Sequence, residues 1–219
     1  MTLPHSYSIP NLYPILDAGI LPTQAAARVE FLTQLGRELA ATDLMLLEYR
    51  NKRDTDAQVF ADAQILRALL PADHVRLVLD DRVDVALAAG FDGVHVDAGD
   101  LPPLAARALL GKERIVGTSA SSETALTAAL AQPVDYIAFG PIFPTTTKQT
   151  DATPIGINGV RRFRALAGNA PVLVAAAGIT LDTAPAILAA GASAVAVSAA
   201  IFRAENPAAE ICKWLKVLA

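Results

Sequence analysis

Short apolar runs and alanine-rich helical patterns alternate eight times along this chain, and that alternation leaves few folds open to it. The apolar runs fall at residues 12–16, 44–49, 75–79, 93–96, 115–118, 136–139, 172–175 and 194–197. The amphipathic segments fall at 23–40, 56–70, 82–89, 103–110, 122–131, 159–167, 183–189 and 207–217. Strands separated by helices of this length pair in parallel. Eight such units imply closure into an α/β (β/α)8 TIM barrel. The competing arrangement is an open doubly wound sheet, which wants a Gly-x-Gly-x-x-Gly turn after the first strand, and none is present.

A weak internal echo supports the repeat. Gly90-Phe-Asp-Gly-Val-His-Val, Pro133-Val-Asp-Tyr-Ile-Ala-Phe and Gly191-Ala-Ser-Ala-Val-Ala-Val share one design. Each leaves a helix through glycine or proline, turns at a small polar residue and enters a buried strand. With 219 residues, 53% of them hydrophobic and only 5% aromatic, the chain has material for one large core of closely packed helices on a sheet. The expectation is a single domain over 1–219, with a short N-terminal arm of about residues 1–11.

The formal net charge of −4 argues against a nucleic-acid partner, which wants a basic footprint. One cysteine, Cys212, cannot form an internal disulfide, so a reducing cytoplasm fits; its neighbours Ile211 and Trp214 suggest that it packs within the last helix. Residues 1–20 lack the basic start of a secretory signal and carry Pro4, Pro10 and Pro14. The apolar stretch from Pro171 to Phe202 is broken by Asp182, Pro185 and several glycines, so no membrane span is expected. Self-association is left open.

In a barrel, the residues after each strand converge on one mouth, where such enzymes place their chemistry. The sixth run ends in Gly140-Pro141-Ile142-Phe143-Pro144-Thr145-Thr146-Thr147-Lys148. A loop so rich in hydroxyls and N–H groups, carrying one cation in a lysine-poor chain, suits an anion, phosphate above all. After the second run comes Glu48-Tyr49-Arg50-Asn51-Lys52, whose alternate residues Glu48, Arg50 and Lys52 share a face. An arginine and a lysine side by side want an anion or a carboxylate between them, and Glu48 is expected to pair with one of them when no ligand is bound.

Asp80-Asp81-Arg82 follows the third run and Asp97-Ala98-Gly99-Asp100 the fourth. Asp81 and Asp100 suit helix N-caps taken singly. Taken together, opposite the cations, they suit one hard cation such as Mg²⁺. Gly117-Thr118-Ser119, Ala177-Gly178-Ile179 and Ser198-Ala199-Ala200 leave N–H groups bare for a second anion. The histidines offer little. His5 and His74 lie outside the runs, His95 sits within one and is expected to bond to the wall, and no triad or zinc spacing can be assembled.

Arg50-x-Lys52, Asp81-Arg82-Val83-Asp84, Asp92-Gly93-Val94-His95-Val96, Gly140-Pro141-Ile142-Phe143-Pro144-Thr145-x-Thr147-Lys148 and Ala177-Gly178-Ile179 together resemble the thiamine phosphate synthase family. The resemblance implies a barrel that joins a hydroxymethylpyrimidine diphosphate to a thiazole phosphate and releases pyrophosphate. It implies Mg²⁺ on Asp81 and Asp100, and the diphosphate on Arg50, Lys52, Ser119 and Lys148, the residues taken as catalytic. The thiazole phosphate would fall to Thr145, Thr147, Gly178, Ser198 and Ala199, with Thr146, Glu48, Tyr49, Asn51 and Asp80 completing the substrate-binding set. Small-molecule substrates, with neither nucleic acid nor membrane, are the partners implied.

The chain departs from the family pattern in several places. Glu48 stands where the family has glutamine and Asp80 where it has asparagine, so two amides become carboxylates, which accept hydrogen bonds but donate none when ionised. Ser121 replaces a common histidine, Asp97-Ala98 a Gly-Gln pair, Ala177 a glycine and Ala199 a serine. These departures keep open a non-catalytic or tautomerase-like relative that binds thiazole phosphate on the same barrel. A sugar-phosphate isomerase would want a placed acid–base pair after the first or seventh run, and none is evident.

Overall fold

The computed structural model describes residues 9–145, 152–169 and 171–219. Its strands are β1 (Leu12–Asp17), β2 (Leu46–Arg50), β3 (Arg76–Asp80), β4 (Gly93–Val96), β5 (Ile115–Ala120), β6 (Tyr136–Phe139), β7 (Val172–Ala176) and β8 (Ala194–Val197). They pair in parallel, in chain order, and β8 closes on β1. The expected (β/α)8 barrel is the fold observed.

The helices are α1 (Ala25–Ala40), α2 (Asp56–Leu69), α3 (Val83–Ala88), α4 (Pro103–Leu110), α5 (Glu123–Leu130), α6 (Gly156–Ala167), α7 (Ala184–Ala189), α8 (Ala199–Phe202) and α9 (Pro207–Leu218). Short polar side chains start several of them. Ser122 accepts the N–H of Ala125 at 3.1 Å, and Asn206 that of Ala209 at 2.9 Å, each satisfying a donor the helix leaves free. The four-residue α8 was not foreseen from its run of small residues. Cys212 lies on the exposed side of α9, not packed as expected, while Ile211 and Trp214 face inward. Among the described residues no helix is long and apolar enough to cross a membrane.

Alternation along the strands divides the apolar side chains into two cores. Leu47, Tyr49, Leu77, Leu79 and Val94 face outward and pack under the helices. Tyr13, Leu46, Val78, Ile115, Tyr136, Val174 and Ala194 face inward and fill the lumen, with Ile9 packed against the same set.

The sequence echo now has a physical cause. Asp92 Oδ2 accepts the N–H of Leu77 at 2.8 Å and takes Arg67 Nη1 of α2 at 2.7 Å. Asp135 Oδ2 does the same for the N–H of Val116, at 2.7 Å, and Arg107 Nη2 of α4, at 2.6 Å. Ser193 Oγ repeats it with the N–H of Leu173, at 3.2 Å, and Arg164 Nη2 of α6, at 2.9 Å. Each small polar residue therefore ties its strand to the preceding strand and to the helix that leads into that preceding strand, on the side of the barrel away from the mouth.

Candidate active site

β1, β2 and β3 end in polar residues that point over the lumen. Arg50 Nη1 pairs with the Asp17 carboxylate, and its Nε lies 3.5 Å from Asp80 Oδ2. Lys52 Nζ lies 3.1 Å from the same Asp80 oxygen and pairs with Asp81. Burial alone would ease the proton off both cations. The carboxylates together outweigh it, Asp80 and Asp17 at Arg50 and Asp80 and Asp81 at Lys52, so the ionisation of both is held above its ordinary range. Arg50 and Lys52 thus converge as expected, but their carboxylate partners are Asp17, Asp80 and Asp81, not Glu48.

Asp81 and Asp100 are not the caps that their positions allow. The N-cap positions of α3 and α4 are Arg82 and Pro102, and neither makes a side-chain cap. Asp81 instead has φ of 67°, a left-handed backbone uncommon for aspartate and frequent at functional sites. Burial, and then the adjoining carboxyls of Asp100 and Asp80, push the Asp81 carboxyl up to about 7 against the pull of Lys52. Its Oδ1 is buried and makes no hydrogen bond. A carboxylate crowded by a second one, with a bare buried oxygen, is a place for a cation. Among the described residues no three metal-ligating side chains converge. Two carboxylates suffice for Mg²⁺ where substrate phosphate and water complete the shell, so Asp81 and Asp100 fit that ion.

Deeper in the lumen lies a feature that the sequence did not disclose. Glu48, 3% exposed, accepts a hydrogen bond from the Tyr13 hydroxyl at 2.8 Å. Tyr13 and Tyr136 share a hydroxyl–hydroxyl contact of 2.5 Å, and Tyr136 Oη lies 2.9 Å from His95 Nδ1. His95 Nε2 in turn lies 2.8 Å from Ser119 Oγ. Burial drives the Glu48 carboxyl up to about 7, with His95 opposing and Asp80 assisting. His95, expected to bond to the wall, is the link between this chain of tyrosines and the serine at the mouth.

The other half of the mouth is a cavity of about 490 Å³. Thr145, Gly178, Thr180, Ser198, Ala199 and Ala200 line it, with Arg50 on the facing wall. Gly178 has φ of +70°, and a β-carbon there would lie 2.6 Å from the Pro144 carbonyl oxygen, so only glycine lets the β7 loop pass the β6 loop this closely. The N–H groups of Ile142 and Phe143 donate to the Ala176 and Ala177 carbonyls at 2.9 and 3.1 Å, which fixes the two loops together. The first N–H groups of α8 have no intrahelical partner and open on the same space. A smaller adjoining cavity of about 110 Å³ brings Ser119, Thr145 and Ala177 together.

Two expected substrate contacts lie elsewhere. Tyr49 is on the outer face of β2, fully buried, with its hydroxyl between Asp62 of α2 and Arg28 of α1. Asn51 donates to Tyr49 Oη at 2.9 Å and to Asp54 Oδ2 at 3.1 Å, on the same outer side. Thr146, Thr147 and Lys148 lie outside the described residues.

Closely set cations, a pair of carboxylates suited to a metal and a glycine-shaped cradle at the mouth of a closed parallel barrel define a phosphate-handling (β/α)8 enzyme. Comparison with known proteins narrows this. A family model described as thiamine monophosphate synthase matches residues 12–201. A thiamine-phosphate synthase of Koribacter versatilis is 38% identical over 210 residues, 96% of each chain. One of Agrobacterium fabrum is 40% identical over 200 residues, 90% of this chain and 88% of the relative. Among solved structures, the thiamine phosphate pyrophosphorylase of Pyrococcus furiosus superposes with a TM-score of 0.78 at 29% identity, over 95% of each chain. The chain belongs to the thiamine monophosphate synthase family.

Proposed function

We propose that this protein is a Mg²⁺-dependent transferase that joins hydroxymethylpyrimidine diphosphate to thiazole phosphate, giving thiamine phosphate and pyrophosphate. The observation that supports this reading is the pairing of Arg50 and Lys52, among the described residues, with Asp17, Asp80 and Asp81, at the same mouth as the cradle of Gly178, Ser198 and Ala199. Both cations are held by internal carboxylates, so an incoming diphosphate exchanges one set of anions for another.

Pyrophosphate leaves when the charge that builds on its bridging oxygen is neutralised. Arg50 does this with a rigid two-pronged donor set and Lys52 with a mobile point charge, both already in place before the bond breaks. Ser119 and Lys148 complete the anion's shell. Asp81 and Asp100 hold Mg²⁺, which supplies further neutralisation of the leaving group when bound. Thr145, Thr146, Thr147, Gly178, Ser198 and Ala199 anchor the thiazole phosphate and so set its ring nitrogen against the pyrimidine methylene, making the capture step effectively unimolecular. No side chain has to form a bond to either substrate. The single domain, the lone cysteine and the small phosphorylated substrates suit a cytoplasmic enzyme.

The test is pyrophosphate release by the purified protein, with each substrate alone and with both, in the presence and absence of Mg²⁺. Release that needs both substrates and the metal is expected. No release with both substrates and saturating Mg²⁺ would overturn the reading.

A further inference from the structure

Four hydrogen bonds link five side chains across the lumen, from Glu48 through Tyr13, Tyr136 and His95 to Ser119. Glu48 is buried at one end, and Ser119 opens at the other onto the smaller cavity beside Thr145 and Ala177. Each neutral group in the middle donates on one side only if it accepts on the other, so with a neutral imidazole the chain has two directions; a charged imidazole donates on both sides.

With Glu48 ionised, Tyr13 donates to it, Tyr136 donates to Tyr13, and His95 donates through Nδ1 to Tyr136. Nε2 is then bare and takes the Ser119 proton, against Asp97 Oδ1, which lies 3.4 Å from the same nitrogen and favours a proton there, so Ser119 turns only lone pairs toward the mouth. With one more proton, drawn from solvent onto Glu48, every bond reverses. Glu48 donates to Tyr13, Tyr13 to Tyr136, Tyr136 to Nδ1, and Nε2–H to Ser119 Oγ. The serine proton is released and points into the cavity. If that extra proton rests on the imidazole instead, Nε2 is again a donor and the serine is again released.

We infer that Glu48 is a positioning residue, which sets through this buried chain whether Ser119 meets the mouth as a hydrogen-bond donor or as an acceptor. The inference rests on the proposed function for its consequence: a donor hydroxyl favours an anionic leaving group, and an acceptor opposes it. Glu48 is faced by Tyr13 from β1, Asp80 from β3, His95 and Asp97 from β4 and the turn beyond it, and Tyr136 from β6, while Arg50 acts on it from its own strand. Burial and Asp80 favour the protonated state, His95 and the Tyr13 hydrogen bond oppose it, and the balance lies near neutrality, with the group at about 7. The serine is thus switched within the range where the enzyme would work.

The direct test is the protonation of His95 nitrogens, followed by ¹⁵N NMR between about pH 5 and pH 8, independent of any substrate. In the wild type, the ring proton should sit on Nε2 with Nδ1 bare on the acid side, and on Nδ1 with Nε2 bare as pH rises, whereas an imidazole titrating by itself would carry both protons on the acid side. Tyr13→Phe, which severs the chain beside Glu48, and Glu48→Gln, which cannot ionise, should each abolish that exchange of nitrogens. In parallel, kcat/KM of the wild type should fall about tenfold across the same transition, the worth of one hydrogen bond to an anion, and the fall should vanish in both variants. A His95 that keeps one protonation pattern throughout, or a wild-type transition preserved in Tyr13→Phe, overturns the inference. A protein that shows the exchange of nitrogens but releases no pyrophosphate overturns the proposed function and leaves the chain standing.

Discussion

A β-carbon on Gly117 would lie 2.0 Å from Cζ of Tyr136 and 2.4 Å from its hydroxyl oxygen. The two residues are register partners on β5 and β6, and the glycine is what lets the tyrosine ring lie flat across the lumen and reach both Tyr13 and His95. Gly117→Ala should therefore force the ring aside and cost about 1–3 kcal/mol, as overpacking of a filled core does. Urea unfolding measures it. In a Tyr136→Ala background the same substitution should cost far less, because the space it invades is empty; equal costs in both backgrounds would show that the ring is not what the glycine accommodates.

Tyr49 adjoins the anion-binding residues in sequence but belongs to the wall behind them. Arg28 Nε lies 2.9 and 3.0 Å from the two Asp62 oxygens, both side chains are almost fully buried, and the Tyr49 hydroxyl completes the set. Tyr49→Phe should lower stability by about 1 kcal/mol while leaving KM for both substrates unchanged. Asp62→Ala should cost about 3–5 kcal/mol, since it strands a buried guanidinium. A raised KM in folded Tyr49→Phe would return the residue to the binding site.

Asp81 combines a left-handed backbone with a bare buried oxygen. Asparagine tolerates that backbone and alanine does not. Asp81→Asn should keep the stability of the wild type while raising the Mg²⁺ concentration for half-maximal activity by tenfold or more. Asp81→Ala should add a stability loss of about 1 kcal/mol from backbone strain. Magnesium titration of activity, run beside thermal melts, separates the two effects. Unchanged magnesium dependence in Asp81→Asn would remove this carboxylate from the metal site.

The barrel was legible because its repeat is written in periodicity. β4, β6 and β8 begin and end where the sequence places them, each fixed by the glycine or proline and the small polar turn residue ahead of it. The other strands run on past their apolar runs, β1 to Asp17, β2 to Arg50, β3 to Asp80 and β5 to Ala120. Hydrophobicity stops marking a strand where its inward residues become the site. That Arg50, Lys52, Asp81 and Asp100 gather at the mouth could be read from spacing because short range decides it. Tyr13 and Tyr136 could not: each looks like one more apolar residue in a buried run, and their shared hydrogen bond spans 123 positions. The partner of Glu48 was misjudged for the same reason, since Tyr13 is 35 residues away and the two nearby cations were already claimed by Asp17, Asp80 and Asp81.

Glu48 also links the fold to pH. Its carboxyl ordinarily titrates at 4.5, and in the fold burial raises it to about 7. The folded state thus holds this proton more tightly than the unfolded chain does. The stabilisation is fully present below about 4.5, declines as pH rises between the two values, and is gone above about 7. Glu48→Gln carries no charge at any pH and has no such slope. The difference in stability between wild type and variant should therefore shift by up to about 3 kcal/mol in favour of the variant as pH is raised through that window. The raised Asp81 carboxyl titrates in the same direction, but it is present in both proteins and cancels in the difference. Urea unfolding of both at closely spaced pH values, without Mg²⁺, gives the two curves. Parallel curves would mean that Glu48 is hydrated or paired well enough to ionise freely, and that its burial in the lumen carries no electrostatic cost.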